Sequence, residues 1–381
     1  MLSLFNSSIV IKKYFSYLVF LVFFILSCGG SGDSDDNSEV SETAAYDRAE
    51  MLKHWADNII VPSYNSFFSN LNILDNNTKT FIASPNQSNL NDLRVAWLNS
   101  YKSWQHVEMF DIGKAEEIYY KSKMNIYPVD KAWLENSVST GTYDLDNANS
   151  YSSQGMPAID YLLNGVAATD NDIITKYTAN NKYKDYLTAV VAKMLSNTKI
   201  VVDDWSTYKA SFVSSTANTS TSSANKLIND FIFYYEKGFR ANKVGIPAGI
   251  FSGSPLPGNV EAFYKKDVSK TLMLEAMNSI INFYNGTSFD GMSTGPSLKG
   301  YLAHLNTSKS GISLSSTLIN KLESAKSKIN ELPNNFVNQI NNDNSKMLLT
   351  YDAIQSVVVL LKVDMLQAFN INVDYQDADG D

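Results

Sequence analysis

A carboxylate at the end of an aromatic stripe is the first residue suited to chemistry. Trp97, Tyr101, Trp104 and Glu108 follow one another at steps of four, three and four residues, which places them on one face of a helix. The aromatic residues indicate that this face is buried, so Glu108 points toward the core or a cleft. A buried carboxylate needs a hydrogen-bonded partner or a bound cation. The alternative is that Glu108 lies at a frayed helix end and reaches solvent.

Two aspartates stand shortly after prolines that are expected to begin helices. Asp130 follows Pro128 and Asp160 follows Pro157, so both fall in predicted first helical turns. The helix macrodipole stabilises an acidic residue there, and this structural role alone could explain either aspartate. The alternative is a ligand-binding site, for which the neighbouring candidates are Tyr127, Gly155 and Pro157.

Two basic residues form another candidate group. Arg240 and Lys243 share one predicted helical face immediately before a long loop, residues 245–258. Long loops inside compact domains are often functional. The basic pair could bind an anionic group such as a carboxylate or a haem propionate. Alternatively, Arg240 pairs with Glu236, one turn earlier on the same helix.

The candidate residues are rich in oxygen donors rather than nitrogen donors. Glu108, Asp130 and Asp160 are the predicted metal ligands, because hard cations such as calcium or ferric iron accept carboxylate oxygens. His54 and His304 lie on predicted helices without a His-Glu pair at ligand spacing, and His106 falls on the helix face opposite Tyr101. A single cysteine cannot build a thiolate site. A hydrolytic zinc centre is therefore not expected. We expect the three carboxylates to converge in one pocket.

The elements that must position these residues have the periodicity of helices almost throughout. No segment shows the sustained two-residue alternation of a β-strand, so the sequence predicts an all-α fold. The part of the chain that follows a predicted N-terminal signal peptide has about 350 residues, more than one usual core holds. We therefore expect two packed helical-bundle domains. The predicted boundaries are 44–213 for the first bundle, 214–225 for a polar linker and 226–381 for the second bundle. The main predicted helices cover residues 44–71 with a kink at Pro62, 89–109, 180–212, 225–243, 259–285, 297–306, 314–341 and 345–370.

The N-terminus has the pattern of a secreted bacterial lipoprotein. Two lysines precede an apolar run, residues 14–26, that is shorter than the ~20 residues of a spanning helix. Cys28 follows a serine at the end of this run, an arrangement that resembles a lipobox, in which the thiol carries the lipid. Residues 1–27 are the predicted signal peptide, and residues 28–43 are a predicted flexible acidic tether. We therefore expect an outer-membrane protein, held by lipid on Cys28, on the periplasmic or cell-surface face. The net charge of −8 argues against a nucleic-acid partner.

Several segments together resemble the imelysin family, whose members were once classed as metallopeptidases. The family pattern Gly-x-His-x-x-Glu is matched by the stretch from Gly155 to Asp160. The aromatic helix ending in Glu108, the turn from Tyr127 to Asp130 and the basic helix end at Arg240 match as well. The resemblance spans residues 45–381. It implies an all-helical, secreted and often lipid-anchored bacterial protein that is linked to iron uptake.

The sequence departs from this family pattern at its most important position. Pro157 stands in place of the histidine, and Asp160 stands in place of the glutamate. Proline has no imidazole, so the motif supplies neither a nitrogen ligand nor a histidine base. We therefore expect a non-enzymatic module that binds iron, another metal or a metal-bearing ligand between the bundles and serves iron-uptake membrane proteins. The alternatives are a metallopeptidase of the imelysin type and a surface scaffold or adhesion lipoprotein with a vestigial site.

Overall fold

Side-chain caps account for where the long helices begin. The computed structural model describes residues 45–305, 308–309 and 311–375. The Gln87–Trp104 helix begins after Asn86, whose side chain accepts a hydrogen bond from the backbone N–H of Asn89 at 3.0 Å. The Asn181–Ser214 helix is capped by Asn180 in a similar way.

Helices make up nearly all of the regular structure, so the all-α prediction is confirmed. The α-helices are Arg48–His54, Val61–Ala83, Gln87–Trp104, Lys114–Glu117, Tyr120–Met124, Lys131–Thr140, Gly155–Asn164, Asp170–Ala179, Asn181–Ser214, Ser223–Phe233, Ile246–Ala248, Ser269–Asn285, Leu298–His304, Leu314–Asn330, Phe336–Asn342, Ser345–Val359 and Leu366–Phe369. The π-helical segments are Trp55–Ile60, Tyr234–Gly245 and Leu360–Met365, and the 3₁₀ segments are Ala148–Ser153 and Pro257–Asn259. Among the described residues, the named strands are Ser308–Lys309 and Ile312–Ser313, which form an antiparallel pair.

π-Helical segments replace parts of the predicted regular helices. Near the start of the chain, the Trp55–Ile60 segment lies just before Pro62, where a kink is predicted. The predicted helix over 225–243 is divided into the α-helix Ser223–Phe233 and the π-helix Tyr234–Gly245. π-Helical turns occur often at functional sites, and the second segment carries the basic residues of the candidate site.

A loop replaces the first part of a predicted helix before Ser269. A helix is predicted over 259–285, but the structure has one only over Ser269–Asn285. Residues 260–268 form a loop in which Ala262 and Lys266 have positive φ angles of 56° and 66°. Such angles cannot continue a right-handed helix, and they are unusual for residues other than glycine.

The core is one continuous hydrophobic cluster that includes large aromatic side chains such as Trp55, Trp97 and Trp104. Burying a side chain such as Phe67 stabilises the fold by about 1.5–3 kcal/mol. The described residues from Tyr46 onward form one compact unit. The division into two bundles at residues 214–225 stays a prediction.

The N-terminal predictions fall outside this part of the chain. The signal peptide, the acidic tether and Cys28 all lie before residue 45, outside the described residues. Within the described ranges, no helix combines the length and the apolar character needed to cross a membrane.

Candidate functional site

A buried lysine connects several of the segments singled out by the sequence. The π-helix Tyr234–Gly245 places Lys243 in the interior, where its side chain is 1% exposed. Its Nζ donates to Glu261 Oε2 at 2.6 Å and to Gln105 Oε1 at 2.8 Å. The same Nζ lies 4.0 Å from Glu108 Oε2. The Lys243 ammonium therefore lies near two buried carboxylates and is in direct contact only with that of Glu261.

Glu108 is buried, as the aromatic stripe predicts. It lies in the turn that follows the Gln87–Trp104 helix, and Asn125 Nδ2 donates to its Oε1 at 2.9 Å. Burial raises the pKa of Glu108 above its ordinary value; Lys243 lowers it to a smaller extent, and Glu261 raises it. Glu108 is therefore the carboxylate of the cluster that is inclined to hold a proton.

The second oxygen of Glu108 stands among polar atoms without hydrogen-bond partners. In the part of the chain that the structure describes, Glu108 Oε2, Trp104 Nε1 and the Tyr234 hydroxyl make no hydrogen bond of normal geometry. Both donors nonetheless lie beside the Glu108 carboxylate: Trp104 lowers the pKa of Glu108, and Glu108 raises the pKa of Tyr234. Buried polar groups are almost always paired, and these two donors are the groups placed to pair with the second oxygen of Glu108.

Glu261 completes the cluster, and reasoning from the sequence missed it. Its side chain is 4% exposed. Besides Lys243, Gln105 Nε2 and Asn125 Nδ2 donate to Glu261 Oε1 at 3.2 Å and 3.1 Å. The available signal was a lone acid in the otherwise apolar stretch from Val260 to Phe263. Because a regular helix was predicted across this stretch, the sequence did not indicate that Glu261 turns toward the interior.

The Asp160 carboxylate holds the backbone of a neighbouring loop. The backbone N–H of Tyr264 donates to Oδ2 at 2.8 Å, and that of Lys265 donates to Oδ1 at 3.0 Å. Asn164 Nδ2 also donates to Oδ1, at 3.1 Å. Burial raises the pKa of Asp160 to about 7, because the loss of solvation outweighs these hydrogen bonds.

The helix that carries Asp160 begins at a glycine for steric reasons. Gly155 has a φ of +77°, and a Cβ there would lie 2.2 Å from the carbonyl oxygen of Met124. Gly155 thus permits a close backbone contact. Because the helix begins at Gly155, Asp160 stands in its second turn, and the predicted first-turn position next to the macrodipole was wrong.

A pocket of about 240 Å³ lies next to Asp160, and we call it the Tyr127 pocket. Burial raises the pKa of Tyr127 well above its ordinary value, and the nearby carboxylates of Glu261 and Glu108 raise it further. Tyr127 therefore borders both the pocket and the buried charged cluster. The pocket is lined by Tyr127, Pro128, Val129, Pro157, Asp160, Gly258, Val260, Ala262, Phe263 and Tyr264.

Asp130 has a structural role instead. It is exposed, and its Oδ1 accepts a hydrogen bond at 2.9 Å from the backbone N–H of Trp133, which caps the Lys131–Thr140 helix. Among the described residues, no three His, Cys, Asp or Glu side chains are grouped so that they could hold a metal ion. The prediction that Asp130 converges with Glu108 and Asp160 in one metal site is therefore wrong, because each carboxylate is used separately.

Arg240 and Lys243 do not form one anion site. Arg240 is 2% exposed, and its Nη1 donates to the Tyr351 hydroxyl at 3.1 Å and to Gln355 Oε1. Its guanidinium also lies 3.5 Å from the Glu236 carboxylate, so the alternative pairing is confirmed. The two basic residues diverge because the i→i+5 hydrogen bonds of a π-helix change the angle between successive residues. The prediction of a shared face, which assumed an α-helix, was wrong.

The family is decided by comparison of the whole chain with known proteins. The profile described as imelysin, or peptidase M75, matches residues 60–363, which is most of the sequence. The chain belongs to the imelysin family. Two solved structures agree with this assignment at the level of the fold. An imelysin-like protein from Psychrobacter arcticum 273-4 has a TM-score of 0.67 and 16% identity, covering 86% of this chain and 97% of its own. A putative iron-regulated protein A precursor from Parabacteroides distasonis has a TM-score of 0.70 and 18% identity, covering 84% and 95%.

One curated relative of this imelysin carries iron in its name. Iron-regulated protein A from Synechococcus elongatus is 26% identical over 129 residues, which are 34% of this chain. The match covers 35% of that relative, so this imelysin spans about a third of its length. The match is consistent with an iron-related role for the family.

The departure from the imelysin motif is now explained in structural terms. Pro157 lies in the wall of the Tyr127 pocket, where the family pattern has a histidine. Asp160, in place of the glutamate, binds the backbone at Tyr264 and Lys265. In this imelysin, therefore, the motif builds the wall of a pocket and anchors a loop.

Proposed function

We propose that this imelysin is a non-enzymatic binding protein that takes a small metal-bearing ligand, with iron the first choice, into the Tyr127 pocket. It would serve iron-uptake membrane proteins at the cell envelope and would be held there by lipid on Cys28. Tyr127 carries the proposal, because its phenol borders both the pocket of about 240 Å³ and the buried carboxylates of Glu108 and Glu261. The name of the Synechococcus relative supports the link to iron.

The residues of the motif favour binding over hydrolysis. Pro157 offers no nitrogen for a metal and no base for a water molecule. Both oxygens of Asp160 already accept backbone hydrogen bonds, at 2.8 Å and 3.0 Å. Neither residue is available to activate a nucleophile in the way that a metallopeptidase requires.

The charged cluster favours a metal complex over a bare ion. The Lys243 ammonium lies 2.6 Å from Glu261 and 4.0 Å from Glu108, in the position where a bare cation would meet both carboxylates. A bare ion would have to displace it. The Tyr127 pocket, at about 240 Å³, is smaller than the ~300–1,000 Å³ of typical pockets for drug-sized ligands. A small complex with oxygen ligands suits this space better than haem.

Titration with ferric citrate tests the proposal. We expect binding heat in calorimetry and a visible phenolate-to-iron absorption band when ferric citrate is added to the purified protein. The Tyr127→Phe variant should lose the band, because it lacks the phenol oxygen. Citrate alone, haem and calcium chloride serve as comparison ligands.

Asp130→Asn is the matched control for this experiment. Asp130 is exposed, caps a helix and does not line the Tyr127 pocket, and asparagine caps helices equally well. The variant should bind ferric citrate as the parent does. Absence of both heat and band in the parent protein, or a band that persists in Tyr127→Phe, would contradict the proposal.

Anchoring at Cys28 has its own test. In cells, the parent protein should fractionate with membranes and incorporate labelled palmitate, whereas Cys28→Ser should do neither. Recovery of the Cys28→Ser variant in membranes with its label intact would show that another residue carries the lipid.

A peptidase remains the second candidate, because the matching family profile is also described as peptidase M75. Incubation of the protein with an unfolded protein substrate, with and without a chelator, distinguishes the two functions. Binding of ferric citrate without any cleavage supports the first, and cleavage that the chelator abolishes supports the second.

A further inference from the structure

The 3₁₀ segment Pro257–Asn259 and the loop that follows it, together called the 257–268 loop, form part of two features at once. Glu261 turns inward and accepts the hydrogen bond from Lys243 at 2.6 Å. Its neighbours Ala262, Phe263 and Tyr264 form part of the wall of the Tyr127 pocket. The position of this loop therefore determines both the shape of the pocket and the geometry of the charged cluster behind it.

The backbone of this loop is strained. Ala262 and Lys266 lie in the left-handed region, with φ angles of 56° and 66°. Residues other than glycine pay a conformational cost there, and such strain persists only where surrounding contacts enforce it. The turn at Ala262 allows Glu261 and Phe263 to serve the two different features. Some group outside the loop must hold this conformation in place.

Asp160 is placed to be that group. Its two oxygens accept the backbone N–H groups of Tyr264 at 2.8 Å and Lys265 at 3.0 Å, directly between the two strained residues. The Tyr264 ring packs at the end of the same helix, where a Cβ on Gly165 would lie 2.3 Å from it. Side chain and helix end together seat the loop.

We propose that Asp160 is a positioning residue, which fixes the 257–268 loop through these two backbone hydrogen bonds and so sets the pocket wall and the placement of Glu261. This assignment replaces the metal-ligand role predicted for Asp160. The importance of the loop for ligand binding rests on the proposed function, whereas the hydrogen bonds themselves do not.

The groups that face the Asp160 carboxylate explain why its strength as an acceptor should vary near neutral pH. Asn164 donates from the same helix, and Tyr264 and Lys265 donate from the loop. The buried phenol of Tyr101 lies near enough to feel the charge of Asp160. The Lys265 ammonium pairs with Asp267 at 2.9 Å, and its charge also lowers the pKa of Asp160. Burial brings the pKa of Asp160 to about 7, so its two charge-assisted hydrogen bonds weaken as it takes up a proton below that pH.

Amide hydrogen exchange measured by NMR tests the positioning role without any ligand. In Asp160→Asn, the asparagine oxygen accepts one N–H, but its NH₂ group faces the other. We expect the Tyr264 and Lys265 amides to exchange about tenfold faster or more, because hydrogen bonds to charged groups contribute most. The amide of Leu163, on the Asp160 helix, should keep its protection. Unchanged protection of both loop amides would overturn the proposal. Equal acceleration of loop and helix would overturn it too, since Asp160 would then stabilise the fold as a whole.

The parent protein supplies a second measurement that needs no variant. After correction for intrinsic exchange, protection of the Tyr264 and Lys265 amides should fall between about pH 8 and about pH 6, while that of Leu163 stays constant. Protection of the loop amides that does not change with pH would count against Asp160 as their acceptor.

The effect on the pocket is measured with ferric citrate as the probe. Asp160→Asn should bind it about tenfold more weakly than the parent, a loss typical of residues that orient a binding site. If the parent binds no ferric citrate, the proposed function fails but the exchange result still stands. If the parent binds and Asp160→Asn binds equally well, the positioning role fails while the proposed function survives.

Discussion

The Lys243 ammonium donates a 2.6 Å hydrogen bond to Glu261 in the interior of the protein, and a second carboxylate, that of Glu108, lies 4.0 Å from the same ammonium. Two buried acids around one base leave an excess negative charge unless one acid is protonated. Lys243 makes its direct ion pair with Glu261, and burial raises the pKa of Glu108, which favours the protonated form of Glu108. The site is close to electrically neutral in this form, which is the form a low-dielectric interior favours.

Removal of the base from this cluster should be strongly destabilising. Lys243→Met leaves Glu261 without its ammonium, and breaking a buried pair in this way costs about 3–5 kcal/mol. Without the ammonium, which lowers the pKa of Glu108, burial raises that pKa further above its value in the unfolded state. A raised carboxyl pKa contributes stability that is lost as pH rises through it, so the deficit should be larger at about pH 8 than at about pH 5. Urea unfolding at both pH values measures it.

Lys199→Met is the matched control for that measurement. Lys199 forms an exposed i,i+4 pair with Asp203 on the Asn181–Ser214 helix. Exposed pairs contribute little, so the substitution should change the free energy of unfolding only slightly at either pH. A loss in Lys243→Met no larger than in the control would mean that the buried cluster is not held by its ion pair.

Asp230 gives a second pH-dependent prediction, at a place remote from the proposed function. It lines a cavity of about 270 Å³ with Asp111 and Lys121. Burial raises the pKa of Asp230 to about 8; Asp111 adds to the rise, and Lys121 opposes it. The folded state therefore holds a proton that the unfolded state has released, and stability falls as pH rises from about 4 to about 8. Asp230→Asn should remove the part of this fall that Asp230 contributes.

The comparison is again made by urea unfolding. Near pH 4, Asp230→Asn and the parent should unfold at similar urea concentrations, and near pH 8.5 the variant should be the more stable. Asp203→Asn, on an exposed helix face, controls for the general effect of removing one negative charge. A gain that is the same at both pH values would show that proton uptake at Asp230 does not influence folding.

Arg240 should matter for stability and not for binding. Its guanidinium contacts Glu236, Tyr351 and Gln355 at once, a set that the single ammonium of a lysine cannot reproduce. Arg240→Lys should lower the free energy of unfolding by about 2 kcal/mol, the cost of hydrogen bonds lost at a charged group. Ferric citrate titration of the same variant should be unchanged. Weakened binding in a fully folded Arg240→Lys protein would restore the basic residue to the ligand site.

The parts of the site that could be predicted are those that depend on regular α-helical geometry. The steps between Trp97, Trp104 and Glu108 identify a buried face because the α-helix has a fixed period, and Glu108 is indeed buried. The same reasoning failed for Arg240 and Lys243, because a π-helix carries them and the angle between positions three apart differs. Nothing in the local sequence distinguishes a π-helix from an α-helix, since tertiary packing imposes it.

The loop residues could not be predicted for a different reason. Glu261 meets Lys243 through a turn at Ala262 that only contacts distant in sequence hold in place. Asp130 was predicted in the first turn of a helix, and it is the N-cap residue just before the helix Lys131–Thr140. An aspartate that caps a helix and an aspartate that binds a ligand cannot be told apart from the sequence at such a position. Local pattern thus identified the helices and their buried faces, while the loop that completes the site depends on the whole fold.

The strain at Ala262 leads to a stabilising substitution. Ala262→Gly removes the Cβ that disfavours its φ of 56°, a cost of about 1–2 kcal/mol for a residue other than glycine. Glycine also gains freedom in the unfolded chain, which offsets about 0.4–1 kcal/mol of this benefit. The variant should therefore unfold at a higher urea concentration, with a net gain of up to about 1.6 kcal/mol. Ala210→Gly, at an exposed position in a helix, should instead lose about 0.5–1 kcal/mol. If both substitutions destabilise equally, the turn at Ala262 carries no strain. The contacts from outside the loop, above all those of Asp160, would then have no strained conformation to hold in place.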